Sequence, residues 1–286
     1  MRKTNFFGHE IKRLIVGDNP FGGHSYIEDV IPGSEMRDYC YNSKKIYDLY
    51  FELEEAGFDC LLPLADPFYV QMLKEYKRDG GKMKLIFQSY SAMLDAPMIR
   101  QLVDLDPAAL YISGTKTDVL HEADDIQGIK DVIQLAKDIL QKPIGLGTHR
   151  PKVVIQSEEE DWGADFYMCS LHNLRRGREG EPSGFITGKT KSGVPFYEAD
   201  RSVMLDVIAN TKKTCIAYKI FAGGHKLLSK DENEVRAAVK DCYKEVYSKI
   251  KPNDLAVIGV FPKYKDQITE DMQIFNEYMD ELEGKN

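Results

Sequence analysis

Residues 126–170 read IQGIKDVIQLAKDILQKPIGLGTHRPKVVIQSEEEDWGADFYMCS, and their pattern decides the architecture. Ile126–Leu140 puts Ile129, Ile133 and Ala136 on one face, the period of an amphipathic helix. Ile144–Gly147 and Phe166–Ser170 are short apolar runs without in/out alternation, as strands buried on both faces require. The acidic run Glu158–Asp161 reads as a solvated helix face, because charged residues are rarely buried unpaired. Strands separated by helix-length segments imply parallel βαβ units.

The same reading extends in both directions. Leu14–Gly17, Cys60–Leu64, Leu85–Gln88, Ala109–Ser113, Cys215–Ile220 and Ala256–Val260 bring the candidate strands to eight. Lys44–Ala56 has Ile46, Leu49, Tyr50 and Leu53 on one face and closes on Gly57, a C-cap signal. Asp200–Thr211, Glu232–Ile250 and Asp266–Glu283 repeat the helical pattern. Right-handed crossovers can close eight such units, so residues 1–286 are expected to form one α/β domain, a (β/α)₈ TIM barrel. An open doubly wound sheet is the rival. A short N-terminal hairpin is expected before the barrel, with His9 in its turn. Arg175–Val194, rich in Gly, Arg, Lys, Ser and Thr, is too long for an ordinary connection and should lie over the barrel mouth.

A net charge of −8 argues against a general nucleic-acid or anionic-membrane surface. Met1–Glu10 has no apolar signal stretch, and no apolar run approaches the ~20 residues of a membrane span. A cytoplasmic protein acting on a small molecule is therefore expected, without nucleic-acid or membrane partners. Cys40, Cys60, Cys169, Cys215 and Cys242 lack metal-site or redox spacing and read as reduced thiols.

Several strand ends resemble the aldo-keto reductases. Residues 16–23, VGDNPFGG, are similar to that family's LGTMTFGG, and residues 145–151, GLGTHRP, to GVSNHSP. Residues 170–174, SLHNL, stand where LPYNL is found, and residues 217–224, AYKIFAGG, resemble AYSPLAGG. Residues 261–271, FPKYKDQITED, resemble the IPKS…ERIxEN segment. The resemblance implies an oxidoreductase holding NADP(H) over the barrel mouth. Tyr218 would stack on the nicotinamide, Lys263 would meet the 2′-phosphate, and Gly223 and Gly224 would let the backbone approach phosphates, with Asp18 beside the cofactor. The family's Asp-Tyr-Lys-His tetrad has no match. Pro63 and Phe68 replace the Asp and Tyr, residues 87–90 (FQSY) lack the Lys, and residues 111–114 (YISG) lack the His. A shift of one residue would restore only Tyr69 as a proton donor.

The polar residues at the strand ends suggest a replacement set. Asp18 and His24 follow the first strand, Asp66 the second, Lys116 and Asp118 the fourth, His149 the fifth and His172 the sixth, with Lys219 on the seventh. Catalytic groups in barrels come from the ends of several strands. His149, His172 or His24 could act as acid or base. His24, His149, His172 and Asp66 are also candidate ligands for a divalent metal. The lysine after strand four, with histidines after strands five and six, loosely resembles metal-dependent amidohydrolase barrels, but the HxH of the first strand and the Asp of the eighth are absent. Lys219, between apolar residues, could be desolvated and serve as base or Schiff-base former. His121 is read as lying in a charged loop and His225 in a surface loop. A divergent reductase is the first expectation, a metal-assisted or cofactor-free hydrolase, lyase or isomerase the second, and a non-catalytic binding protein the third.

Overall fold

The computed structural model describes residues 2–40, 42–89, 95–175 and 196–284. Strands β1 (Lys3–Phe6) and β2 (His9–Lys12) form an antiparallel hairpin. Its turn is Phe7–Gly8, so His9 opens the second strand instead of sitting in the turn. Eight parallel strands follow: β3 (Leu14–Gly17), β4 (Cys60–Leu62), β5 (Lys84–Gln88), β6 (Ala109–Ile112), β7 (Ile144–Thr148), β8 (Phe166–Ser170), β9 (Thr214–Tyr218) and β10 (Leu255–Gly259). They close in sequence order, β10 pairing with β3. The fold is a (β/α)₈ TIM barrel.

Burial on both faces explains the unbroken apolar runs. Ile15, Leu62, Ile86, Tyr111, Met168 and Ile216 point into the barrel. Their neighbours Val16, Leu61, Phe87, Leu110, Cys169 and Cys215 point outward to the helices. Hairpin residues Phe6 and Ile11 join the inner set, and Phe6 meets Phe166 edge-on with centroids 5.2 Å apart, so the hairpin plugs the N-terminal end.

Helices α1 (Gly33–Tyr39) and α2 (Ser43–Glu55) follow β3, and α3 (Pro67–Arg78) follows β4. After β5 comes α4 (Ala96–Arg100), and after β6 come α5 (Gly114–Glu122) and α6 (Ile126–Leu140). The remaining helices are α7 (Pro151–Glu159), α8 (Glu198–Asn210), α9 (Glu232–Tyr247) and α10 (Gln267–Leu282). Side-chain caps start many of them: Asn42, Asp66, Ser113, Asp125 and Asp266 each accept a first-turn N–H.

Three strands are shorter than the sequence pattern predicts; β6 stops at Ile112, where Ser113 caps α5. β4 stops at Leu62, since Pro63 has no N–H to continue the ladder, and Leu64 touches β5 only as a single bridge to Gln88. β9 stops at Tyr218, because Lys219 turns into the left-handed region at φ +60°. His121 is in α5, not in a loop; its Nε2 is 3.0 Å from Gln156 Oε1 and its Nδ1 is 3.1 Å from Arg150 Nη1. His225 is buried against Phe196, not on the surface. All five cysteines are buried, free thiols. Among the described residues, no helix is long and apolar enough to cross a membrane. The long loop expected at Arg175–Val194 lies, beyond Arg175 itself, outside the described residues, as does Tyr90.

Candidate active site

Gly147 on β7 lets the start of α5 pack directly on the strand. A Cβ there would stand 2.7 Å from the Ile112 carbonyl and 2.9 Å from the Gly114 nitrogen. Gly114 itself lies against the mouth, where a Cβ would come 3.1 Å from Tyr218 Oη and 3.2 Å from His149 Cε1. This close approach carries Asp118, one turn into α5, beneath the end of β7.

Asp118 is fully buried and accepts three hydrogen bonds. Thr148 Oγ1 donates at 2.5 Å, the His149 backbone N–H at 3.1 Å, and His149 Nδ1 at 2.8 Å. A carboxylate that accepts from Nδ1–H fixes the tautomer, leaving Nε2 as the unprotonated, basic nitrogen. Nε2 makes no hydrogen bond with a described residue. Burial holds the His149 pKa below that of a free histidine; Asp118 opposes the shift and Lys219 adds to it. The imidazole is therefore neutral and oriented. The Tyr218 ring meets it edge-on at 5.7 Å, and Tyr218 Oη donates to the Thr148 carbonyl at 3.2 Å.

A second group forms at the end of β3, four strands away and hence across the mouth. Asp18 is buried and accepts the Leu64 N–H at 3.0 Å. Burial pushes its pKa up to about 7, with the Leu64 bond pulling down and Asp66 pushing further up. Tyr69 and His24 converge over Gly22, where a Cβ would stand 3.2 Å from Tyr69 Oη and 3.3 Å from His24 Nε2. Burial, then the nearby Asp18, raises the Tyr69 pKa, and burial lowers that of His24.

Other expected site residues have structural work. His172 is fully buried, with Nδ1 3.2 Å from the Tyr197 carbonyl and Nε2 3.3 Å from Arg201 Nη1. Burial and the Arg201 guanidinium push its pKa down to about 3. Asp66 caps α3 through the Phe68 N–H at 2.9 Å. Among the described residues, no three His, Cys, Asp or Glu side chains converge as a metal site, so His24, His149, His172 and Asp66 are not brought together as ligands. Lys219 lies beyond the strand, half-buried between two tyrosine rings instead of in an apolar wall.

The dinucleotide expectation has its own geometric test. Lys263 Nζ is 2.7 Å from Glu35 Oε1, and Tyr264 hydrogen-bonds the same carboxylate. An anion there would meet a carboxylate already holding the lysine. A Cβ on Gly223 would strike Tyr26 at 2.7 Å, and one on Gly224 would meet Ile27 at 3.1 Å. The glycines thus accommodate the segment after β3, not an open phosphate cradle. In this arrangement Lys263 and the two glycines already have protein partners.

Pattern reading missed three residues that shape the site. Tyr26 sits in an irregular segment with no periodicity. Tyr111 reads as barrel filling, yet its Oη donates to Gln88 Oε1 at 2.5 Å. Arg201, almost fully buried, looks in sequence like a solvated helix arginine. A cavity of about 130 Å³ borders His149, Ser170, Asn173 and Asp200. A larger one of about 150 Å³, lined by Phe221, Lys230, Lys265 and Asp271, lies by α9 and α10, away from the His149–Asp118 pair. The oriented base, not cavity size, places the candidate site at the mouth.

No protein-family model matches the chain, and no curated protein matches it. Solved structures do. An aldo-keto reductase from Bacillus halodurans in its holo form superposes with TM-score 0.58 at 11% identity, covering 99% of this chain and 96% of that one. A dihydropteroate synthase from Yersinia pestis gives TM-score 0.55 at 8% identity, covering 99% of each chain. An orotidine 5′-monophosphate decarboxylase from Methanocaldococcus jannaschii gives 0.50 at 9% identity, covering 83% of this chain and 93% of that one. Three different chemistries at such identities share one architecture, and what the likeness establishes for this chain is the TIM-barrel fold.

Proposed function

We propose that the chain is an enzyme catalysing proton transfer on a small polar, carbonyl-bearing substrate, of the isomerase or lyase kind, at the C-terminal mouth of the barrel. The observation that carries this reading is the 2.8 Å contact of His149 Nδ1 with the buried Asp118 carboxylate. His149 Nε2 takes a proton from carbon or oxygen of the substrate. The imidazolium so formed is stabilised by the Asp118 carboxylate at Nδ1. Across the mouth, Asp18, with its pKa near 7, supplies or recovers a proton, and Tyr69 stands protonated beside it. Groups whose surroundings push their proton affinities in opposite directions are a usual source of acid–base assignments. The direct test is deuterium exchange from solvent into a panel of small ketones, aldehydes and oxo acids, followed by NMR. The protein should catalyse exchange on at least one class, and His149→Gln should lower the rate on the order of 10²-fold or more. Exchange that survives this substitution removes His149 as the base.

A nicotinamide-dependent oxidoreductase is the second reading, favoured by the place of Tyr218 at the end of β9. It calls for quenching of NADPH fluorescence on titration, lost in Tyr218→Ala. No quenching leaves the proton-transfer reading alone.

A further inference from the structure

Lys219 follows β9 with φ +60°. That conformation is unfavourable for a residue with a Cβ, so the surrounding structure must hold it. At this turn its ammonium lies between two aromatic faces, 4.7 Å from the Tyr26 centroid and 4.6 Å from the Tyr218 centroid. Ring faces attract a cation without neutralising it, and they strip away part of its water. Among the described residues, no carboxylate lies within ion-pair distance of Nζ and no acceptor takes its hydrogens. The nearby Lys226 is paired with Glu198 at 2.8 Å. Lys219 Nζ therefore stands without a counter-ion among the described residues, against the same Tyr218 ring that His149 meets edge-on.

A half-buried ammonium with no counter-ion is a ready partner for an anionic ligand that supplies one. We infer that Lys219 is the receptor for the anionic end of the substrate, a small carboxylate held against Tyr26 and Tyr218 with its neighbouring carbon presented to His149. This names the substrate class for the proton-transfer reading above and rests on it for the role of His149. A carboxylate suits the site better than a phosphate. One positive charge and two aromatic walls match a monoanion, and the backbone at Gly223 and Gly224 is covered by Tyr26 and Ile27. Phosphate sites instead recruit Arg pairs or open backbone N–H cradles.

The test is thermal unfolding with pyruvate, lactate or inorganic phosphate as probes, each against sodium chloride at equal ionic strength. The carboxylates should raise the unfolding midpoint of the wild-type protein, and phosphate should do no more than chloride. Lys219→Met should weaken carboxylate binding tenfold or more, and Lys219→Arg should restore much of it. If Lys219→Met does not fold, the Lys219 side-chain NMR signals of the wild-type protein must shift with pyruvate and not with phosphate. Unchanged carboxylate affinity in folded Lys219→Met, or tighter binding of phosphate, overturns the assignment. His149→Gln keeps the two readings apart, since it should retain carboxylate affinity while losing deuterium exchange. Carboxylate binding through Lys219 without exchange in the wild type sinks the base and leaves the receptor standing. Exchange indifferent to Lys219→Met does the reverse.

Discussion

The backbone of Gly114 passes so close to Gly147 that a methyl group on the latter would stand 2.9 Å from the Gly114 nitrogen. The two closest obstacles to that methyl group, the Gly114 nitrogen and the Ile112 carbonyl, are backbone and cannot swing aside, and Tyr111 Cδ2 follows at 3.1 Å. Gly147→Ala should therefore destabilise the fold by roughly 1–3 kcal/mol, the range for overpacking a close-packed interior. Urea denaturation measures it. A change smaller than about 0.5 kcal/mol would mean that α5 can drift away from β7 at little cost.

Asp118→Asn keeps the size of the side chain but removes the charge facing Nδ1. Because Asp118 raises the His149 pKa against the effect of burial, its loss should move that pKa further down. An NMR titration of the imidazole reads the shift directly. The exchange rate should fall on the order of 10²- to 10⁴-fold, since an Asn can hold the wrong tautomer. An upward shift would contradict the dyad.

His172 gives the fold an acid limb. Its folded pKa of about 3 lies below the unfolded value of 6.5, so the unfolded chain takes up a proton first as the pH falls. The stability it contributes is complete above pH 6.5 and is lost progressively as the pH falls toward 3. His172→Gln should flatten this slope in denaturation curves taken between those limits. An equally steep decline in the variant would place the acid sensitivity elsewhere.

Asp271 works in the opposite sense. Burial pushes its pKa up to about 8, so the folded state holds a proton that the unfolded chain releases near 3.8. Stability from this group is complete below pH 3.8 and lost as the pH rises through 8. Asp271→Asn should leave stability at pH 4 little changed and raise it at pH 8 by an amount on the order of a few kcal/mol. Asp18, at about 7, adds a smaller loss in the same direction. An Asp271→Asn protein less stable than wild type at pH 8 would refute the buried-acid description.

All eight barrel strands are legible in the sequence because burial on both faces writes continuous apolar runs. The ends are less legible. Pro63 and the left-handed Lys219 stop β4 and β9 early, for reasons of backbone geometry that an apolar pattern does not carry. α5 is obscured because the buried side of its GTKTDVLHE stretch includes two polar residues, Thr117 and Asp118. The candidate site was legible as a set of strand-end residues but not as a set of partners. Asp118 and His149 are 31 positions apart, and only the glycine contact between α5 and β7 shows that they meet. His172 reads like His149 from its place after a strand. What separates them is Arg201, buried on a helix where sequence alone suggests solvent.

The hairpin of Phe6 and Ile11 seals the far end of the barrel. On the proton-transfer reading proposed above, reactants and products at His149 share one doorway, the C-terminal mouth. A product still in that doorway excludes the next substrate, so inhibition by product should be competitive, and the turnover rate is bounded by how fast the doorway clears.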